Sequence, residues 1–323
     1  MEPWKWPWWP RSSWACHLGG CSKVWYSRSG VATFGAVGPL GADGTELASG
    51  RVPTPRHDYD GCIRAIKGLM EKLEVDAGGR IEQVGIGVPG SVDRDTGVVT
   101  LGNSVWITNR DLRGDLKAAL GRPVKVANDA NCFALSEAVD GAGTGAKVVF
   151  GIILGSGVGG GLVVEGKVIE GINAVAGEWG HMPLPTPMDD ERPGPICSCG
   201  VAGHCEAWLS GRSMAEDHAR RTARDAAQAK TAPEVVALAE SGDLAAEETL
   251  RRYEDRLARS LGLIVNVLDP DVIVFGGGMS NVQRLYRNVP ALMVPHVFGD
   301  KFNTKLLENV HGDSSGVRGA AWL

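Results

Sequence analysis

Residues 154–162 (LGSGVGGGL) limit the fold most, because five glycines fall between an apolar run at 148–154 and another at 162–169. Glycines placed where two strands turn let backbone N–H groups reach an anion with no side chain in the way. The motif lacks the lysine of a Walker loop and lies between two strand-like runs rather than before a helix. Neither the P-loop nor the dinucleotide fingerprint therefore applies. Taken alone, it reads equally well as a plain glycine-rich hairpin. Glycine nevertheless recurs at the ends of apolar runs throughout this chain, 45 times in 323 residues, and that habit suits a nucleotide enzyme.

A chain of this length exceeds one typical core and suits two α/β lobes around a cleft. A net charge of -5 with 22% charged residues argues against nucleic acid as a main partner. No stretch approaches the roughly 20 apolar residues that span a bilayer, so no membrane partner is expected. The spacing predicts helices over 62–73 (CIRAIKGLMEKL) and 111–120, buried strands over 84–88 and 272–275, and a helix with its start over 128–139. One long helical tract is predicted from about 213 to 267, ended by Asp269-Pro270. The first 35 residues differ. Trp4, Trp6, Trp8, Trp9, Trp14 and Trp25 lie there among Pro, Arg and Ser with no period and no signal-peptide core. This tract reads as the product of a wrong start or a shifted frame, with authentic sequence resuming near 38–51.

Two further clusters carry chemistry. In 126–137 (VANDANCFALSE), Asp129 lies between Asn128 and Asn131 at the junction of an extended run and a helix, where local hydrogen bonds could hold a carboxylate towards a cleft. A plain helix cap by Asn128 or Asp129 accounts for the same residues about as well. The second cluster is 177–181 (GEWGH) with 197–206 (CSCGVAGHCE). Cys197 and Cys199, one residue apart, together with His204 or Cys205 and the more distant His181, supply the ligands zinc favours. Seven cysteines, three of them within nine residues, fit metal binding in the cytoplasm better than a secreted disulfide framework.

Together these segments resemble the ROK family of bacterial sugar kinases and repressors, and within it the N-acetylglucosamine kinases, from about residue 51 (RVPTPRHDYD) to the terminal HGDSSGVRGAAWL. The resemblance implies an α/β, two-lobed actin-like or hexokinase-like (ribonuclease H-like) ATPase fold with a zinc knuckle. It divides the chain into an atypical 1–35, a smaller lobe of 36–127 plus 309–323, and a larger lobe of 128–308. It implies ATP, Mg²⁺ and Zn²⁺ as cofactors and a homodimer as the assembly. Carried over, Asp129 is the general base, and Asn103, Asn128, Glu178, His181 and Glu206 hold the sugar, with the 87–90 turn lining its pocket. Gly155, Ser156, Gly157, Val158, Gly159 and Gly160 form the second phosphate loop, and Gly276, Gly277 and Gly278 the adenosine end. The implied reaction is ATP-dependent phosphorylation of N-acetylglucosamine at its 6-hydroxyl. Glucose, fructose and N-acetylmannosamine kinases share the scaffold, and a sugar-binding protein without turnover is the alternative. That alternative arises because the family's Asp-x-Gly-x-Thr loop is only echoed, at 17–21 (HLGGC), with His17 in place of the aspartate. A repressor would need an added winged-helix segment.

Overall fold

The computed structural model describes residues 21–26, 33–40, 45–100, 106–222, 230–299, 302–312 and 315–323. Two five-stranded sheets organise these residues. The first runs β3 (Ser49–Pro53), β2 (Thr33–Leu40), β1 (Cys21–Tyr26), β4 (Val84–Val88), β7 (Val124–Asn128). Strands β1, β4 and β7 are parallel, while β1, β2 and β3 form an antiparallel meander. A small hairpin of β5 (Ser91–Val92) and β6 (Val99–Thr100) follows β4. The second sheet runs β10 (Lys167–Val168), β9 (Val158–Val164), β8 (Val148–Leu154), β11 (Val272–Gly276), β12 (Lys305–Glu308), with β8, β11 and β12 parallel and β9 antiparallel to β8.

Each sheet is closed by helices whose apolar spacing the sequence declares. In α1 (Tyr59–Ala77), Cys62, Ile66, Leu69, Met70 and Leu73 recur at helical intervals and are all buried against the first sheet. The Asp58 carboxylate accepts from Gly61 N at 2.7 Å to start that helix, and Gly78, at φ 71°, ends it in the left-handed region. Helix α2 (Leu112–Leu120) is built the same way, between the Asp111 cap and Gly121. In the second half, α4 (Glu206–Leu209), α5 (Gly211–Arg221), α6 (Ala232–Glu240), α7 (Leu244–Leu268) and α8 (Arg284–Met293) enclose a core that includes Phe150, Ile152, Tyr253, Leu257 and Phe275.

Among the described residues, the tract predicted for 213–267 is divided between α5, α6 and α7. Apolar period continues across the breaks, but local caps override it. Thr231 and Glu234 form a reciprocal capping box at the start of α6. Gly242 (φ 93°) then turns the chain, and Asp243 accepts from Ala245 N and Ala246 N to begin α7. The second glycine-flanked strand also begins earlier than 162, at Val158. At the other end of the chain, Cys21–Tyr26 joins the first sheet as β1, so part of the tract set apart by its composition pairs with β4, from Ser22↔Val84 to Trp25↔Gly87. Among the described residues, no helix is long and apolar enough to cross a membrane.

Helix α3 (Asp129–Val139) and helix α9 (Ser315–Trp322) join the two sheets. Chain order returns α9 to pack on β1 and β4 as well as on α3. The two helices touch through backbone, since a Cβ added at Gly319 would lie 1.5 Å from Cys132 O, and α9 meets β4 the same way, since one at Gly85 would lie 1.8 Å from Ala320 O. The buried Glu137 on α3 pins the crossing by accepting from Ser315 Oγ at 2.7 Å. We expect Gly319→Ala to lower stability by about 1–3 kcal/mol, because the helices must separate to admit one methyl group. Urea unfolding measures this, and a midpoint equal to the parent's would contradict the close crossing.

Candidate active site

At the end of β7 the chain turns directly into α3, and Asn128 performs the turn. Its Oδ1 accepts from Ala130 N at 2.8 Å and Asn131 N at 3.2 Å, and its Nδ2 donates to Gly90 O at 3.0 Å. The question of which residue caps the helix is settled: Asn128 is the cap and Asp129 is the first helical residue. The Asp129 carboxyl group is therefore buried at a helix N-terminus, a position where the helix dipole favours negative charge. The bond to Gly90 ties this point to the 87–90 turn that follows β4. Both features sit at the carboxyl ends of parallel strands, where open α/β sheets bind ligands. Asn103 lies outside the described residues, as does His17, and Cys21 opens β1. The 17–21 echo thus reaches only the first residue of β1, whereas the phosphate loop that the resemblance implies follows that strand. Residues 27–32 (SRSGVA) join β1 to β2 and contain no carboxylate.

The glycine-rich segment divides into two parts. Only Gly155, Ser156 and Gly157 form the turn between β8 and β9, closed by Gly155 N donating to Gly157 O at 3.0 Å. Val158, Gly159 and Gly160 belong to β9, where neighbours leave no room for a side chain at Gly160 or at Gly161 beyond it. A Cβ at Gly160 would lie 2.8 Å from Gly177 O, and one at Gly161 would lie 2.5 Å from Ala130 O, so β9 packs backbone to backbone on the start of α3. Trp179, which the sequence did not single out, is buried there and donates its indole N–H to Gly159 O at 2.8 Å. Gly276 ends β11. Gly277, at φ 78°, lies so close to the turn that its Cβ would meet Leu154 O at 2.6 Å. Gly278 opens a short 3-10 turn. Both glycine clusters thus meet at one edge of the second sheet.

The Cys/His group forms beside this edge. His181, Cys197, Cys199 and His204 each offer one ligand atom, and these atoms lie within 4.8 Å of one another. Cys197 Sγ is 3.5 Å from His181 Nδ1, and Cys199 Sγ is 3.2 Å from His204 Nδ1. Zinc bond lengths of about 2.3 Å to sulfur and 2.0–2.1 Å to nitrogen give a tetrahedral edge of roughly 3.6 Å, so the residues fit that ion. The other ring nitrogen of His181 lies 4.0 Å from a Glu178 oxygen, close to the arrangement by which a carboxylate orients a metal-bound imidazole. Cys205, the alternative third ligand, is not in the group. Its Sγ faces Ser260 Oγ at 3.5 Å in the core, and burial pushes the thiol up to about 11.

Glu206 links the group to the glycine turn. Its Oε2 accepts from Val158 N at 3.0 Å, and its Oε1 accepts from the Ser198 hydroxyl. Burial opposes its charge, yet the Ser198 hydroxyl and the Val158 N–H hold its carboxyl below the usual range. Ser198 carries no signal a sequence reading could use, since any small polar residue fits between two cysteines.

The ligand assignment makes a direct prediction. Cys199→Ser should lose bound zinc, whereas Cys205→Ser should retain about one equivalent, because only the former supplies a ligand. Elemental analysis of proteins purified without chelator checks this, and equal zinc in both variants would contradict the assignment.

Comparison with known proteins completes the description of the site. A family model described as "ROK family" matches residues 32–323, starting one residue before β2. The N-acetyl-D-glucosamine kinase of Photobacterium profundum is 41% identical over 281 residues, covering 86% of this chain and 91% of that protein. The enzyme of that name from Shigella boydii serotype 4 is 41% identical over 277 residues, covering 84% and 90%. Among solved structures, the ROK hexokinase from Thermus thermophilus superposes with a TM-score of 0.81 at 28% identity, covering 94% of this chain and 96% of that one. A Streptomyces griseus ROK glucokinase, solved with glucose and AMPPNP, gives 0.75 at 27% identity, covering 94% and 98%. With the two-lobed hexokinase-like fold, the Cys/His group and a family match that runs from the start of β2 to the last residue, this chain belongs to the ROK family.

Proposed function

We propose that this protein transfers the γ-phosphoryl group of ATP to the 6-hydroxyl of N-acetylglucosamine. It is an ATP:sugar phosphotransferase, as the curated relatives' names and the family match support. The observation that carries the reading is that Asn128 caps Asp129 in place at the start of α3, against which β9 packs at Gly161, while the 155–157 turn that leads into β9 meets Gly277 just after β11. Phosphoryl transfer asks little covalent work of a protein, so alignment and charge neutralisation dominate. Asp129 accepts the hydroxyl proton as the new P–O bond forms. Asn103, Asn128, Glu178, His181 and Glu206 hold the sugar hydroxyls. Backbone N–H groups of Ser156 and Gly157 face the phosphates, with Val158, Gly159 and Gly160 as the wall behind them and Gly276, Gly277 and Gly278 at the adenosine end. Mg²⁺ bound to the phosphates supplies charge neutralisation, and zinc in the Cys/His group shapes the loop that presents His181 and Glu206. A tetrahedral site with four protein ligands has no position left for a reacting water. The family suggests a cytoplasmic homodimer.

Asp129→Asn should reduce turnover by about 10²–10⁴-fold while leaving the sugar dissociation constant within a fewfold, because the amide keeps the shape and loses the proton acceptor. Coupled ADP release alongside sugar titration separates the two effects, and turnover within a fewfold of the parent removes Asp129 from the role.

Residues 27–32 lack a carboxylate, which specifically favours a second reading: sugar binding with little turnover. If the tract arose from a shifted frame, the gene encodes an Asp-x-Gly-Gly-Thr-Lys strand and turn in another frame overlapping this segment. Restoring that stretch should raise turnover by about an order of magnitude or more, since a carboxylate is a hard oxygen ligand suited to Mg²⁺ and residues 27–32 offer none. Full activity of the unaltered chain, with no such codons in the gene, would contradict this.

A further inference from the structure

We propose that Glu206 couples the Cys/His group to the phosphate-binding turn, so that zinc occupancy tightens nucleotide as well as sugar. The proposal rests on the kinase reading above and assigns Glu206 a positioning role in addition to any contact with sugar. The segment that follows the ligand His204 holds the turn at two points. Glu206 Oε2 accepts the N–H of Val158 at 3.0 Å, and Gly211 N donates to Gly155 O at 2.8 Å. The fit at the first point is tight, because a Cβ on Gly157 would lie 2.6 Å from Glu206 Oε2.

The opposite end of the same carboxylate belongs to the metal loop. Its Oε1 accepts from the hydroxyl of Ser198, which stands between Cys197 and Cys199, and lies 3.5 Å from Cys197 Sγ. The segment is also held internally: Ser213 Oγ donates to Glu206 O at 3.0 Å, and Cys205 N donates to Met182 O at 2.8 Å beside His181. A metal that fixes Cys197 and Cys199 fixes Ser198. Ser198 orients the carboxylate, and the carboxylate sets the Val158 amide at the edge of the turn. Coupling of this kind is reciprocal, so nucleotide should also retain zinc.

The test measures ADP binding calorimetrically without sugar, on the full chain, zinc-loaded and after chelation. Omitting sugar leaves a purely sugar-binding role for Glu206 with nothing to change. In the parent, chelation should weaken ADP by about fivefold or more, within the range of typical coupling. In Ser198→Ala, which keeps all four proposed ligands, and in Glu206→Gln, which keeps the shape, the ratio should fall to within twofold. Zinc release to a chromogenic chelator should likewise slow when ADP is added to the parent. Equal ADP affinity in both states of the parent, or an undiminished ratio in both variants, overturns the coupling. A parent that binds no ADP in either state counts against the kinase reading instead. Amide exchange over 155–160, measured with no nucleotide present, then decides the coupling alone: zinc should slow exchange at Val158, and unchanged exchange overturns the proposal.

Discussion

Helix α3 is gripped by backbone on two sides, and the candidate site depends on that grip. On one side β9 approaches so closely that any side chain at Gly161 would collide with Ala130 O. On the other, Gly319 of α9 lies directly against Cys132 O. With no side chains in either contact there is little to repack, and interiors at this density transmit displacement rather than absorb it. The N-terminus of α3 is thereby fixed relative to the second sheet, which ends in the glycine turn. It is equally fixed relative to the first sheet, through β7 and the Asn128 bond to Gly90. A carboxylate that must meet a sugar hydroxyl within hydrogen-bond reach while phosphates sit on another element needs such a mounting.

The metal group extends the same logic outward. Its four residues come from two loops with little regular structure, 177–181 and 197–204, and such loops need cross-links to hold a position. Buried charge anchors the intervening segment: Glu191 accepts from Arg256 Nε at 2.7 Å and Arg259 Nη2 at 3.0 Å on α7. Burial opposes the Glu191 charge, but those guanidinium groups hold its carboxyl below the usual range. The loop is thus tied to the core around α7 without any metal, and an ion held by the Cys/His group would have only the last few residues, around Cys197–His204, to order.

Much of this was legible in the sequence because it rests on short-range rules. The α1 face, the buried β4 and β11, and the two-lobed fold follow from apolar period and from the resemblance. Features that depend on three-dimensional packing were not legible. Glycines 159–161 read as loop because glycine usually marks turns, but they lie in a strand whose neighbours exclude a Cβ at Gly160 and Gly161. The 213–267 stretch read as a long helical tract, while the Thr231 box and the Gly242–Asp243 turn set helix starts within it. Whether Asn128 or Asp129 caps α3 could not be read from identity, since both are good caps. His204 and Cys205 are both competent ligands; register with Glu206 favours His204 in the sequence, and the direction of the Cys205 side chain, into the core near Ser260, agrees.

The central claim is that the convergence at Asp129 performs phosphoryl transfer to an amino sugar. The most direct measurement supplies ATP, Mg²⁺ and, in turn, N-acetylglucosamine, glucose, fructose and N-acetylmannosamine to the zinc-loaded protein carrying the restored β1–β2 connection. ADP release and phosphorus NMR of the product are then followed. The account predicts fastest ADP release with N-acetylglucosamine and a phosphomonoester at its 6-position. Binding of N-acetylglucosamine with no ADP formed from any of the four sugars would contradict it.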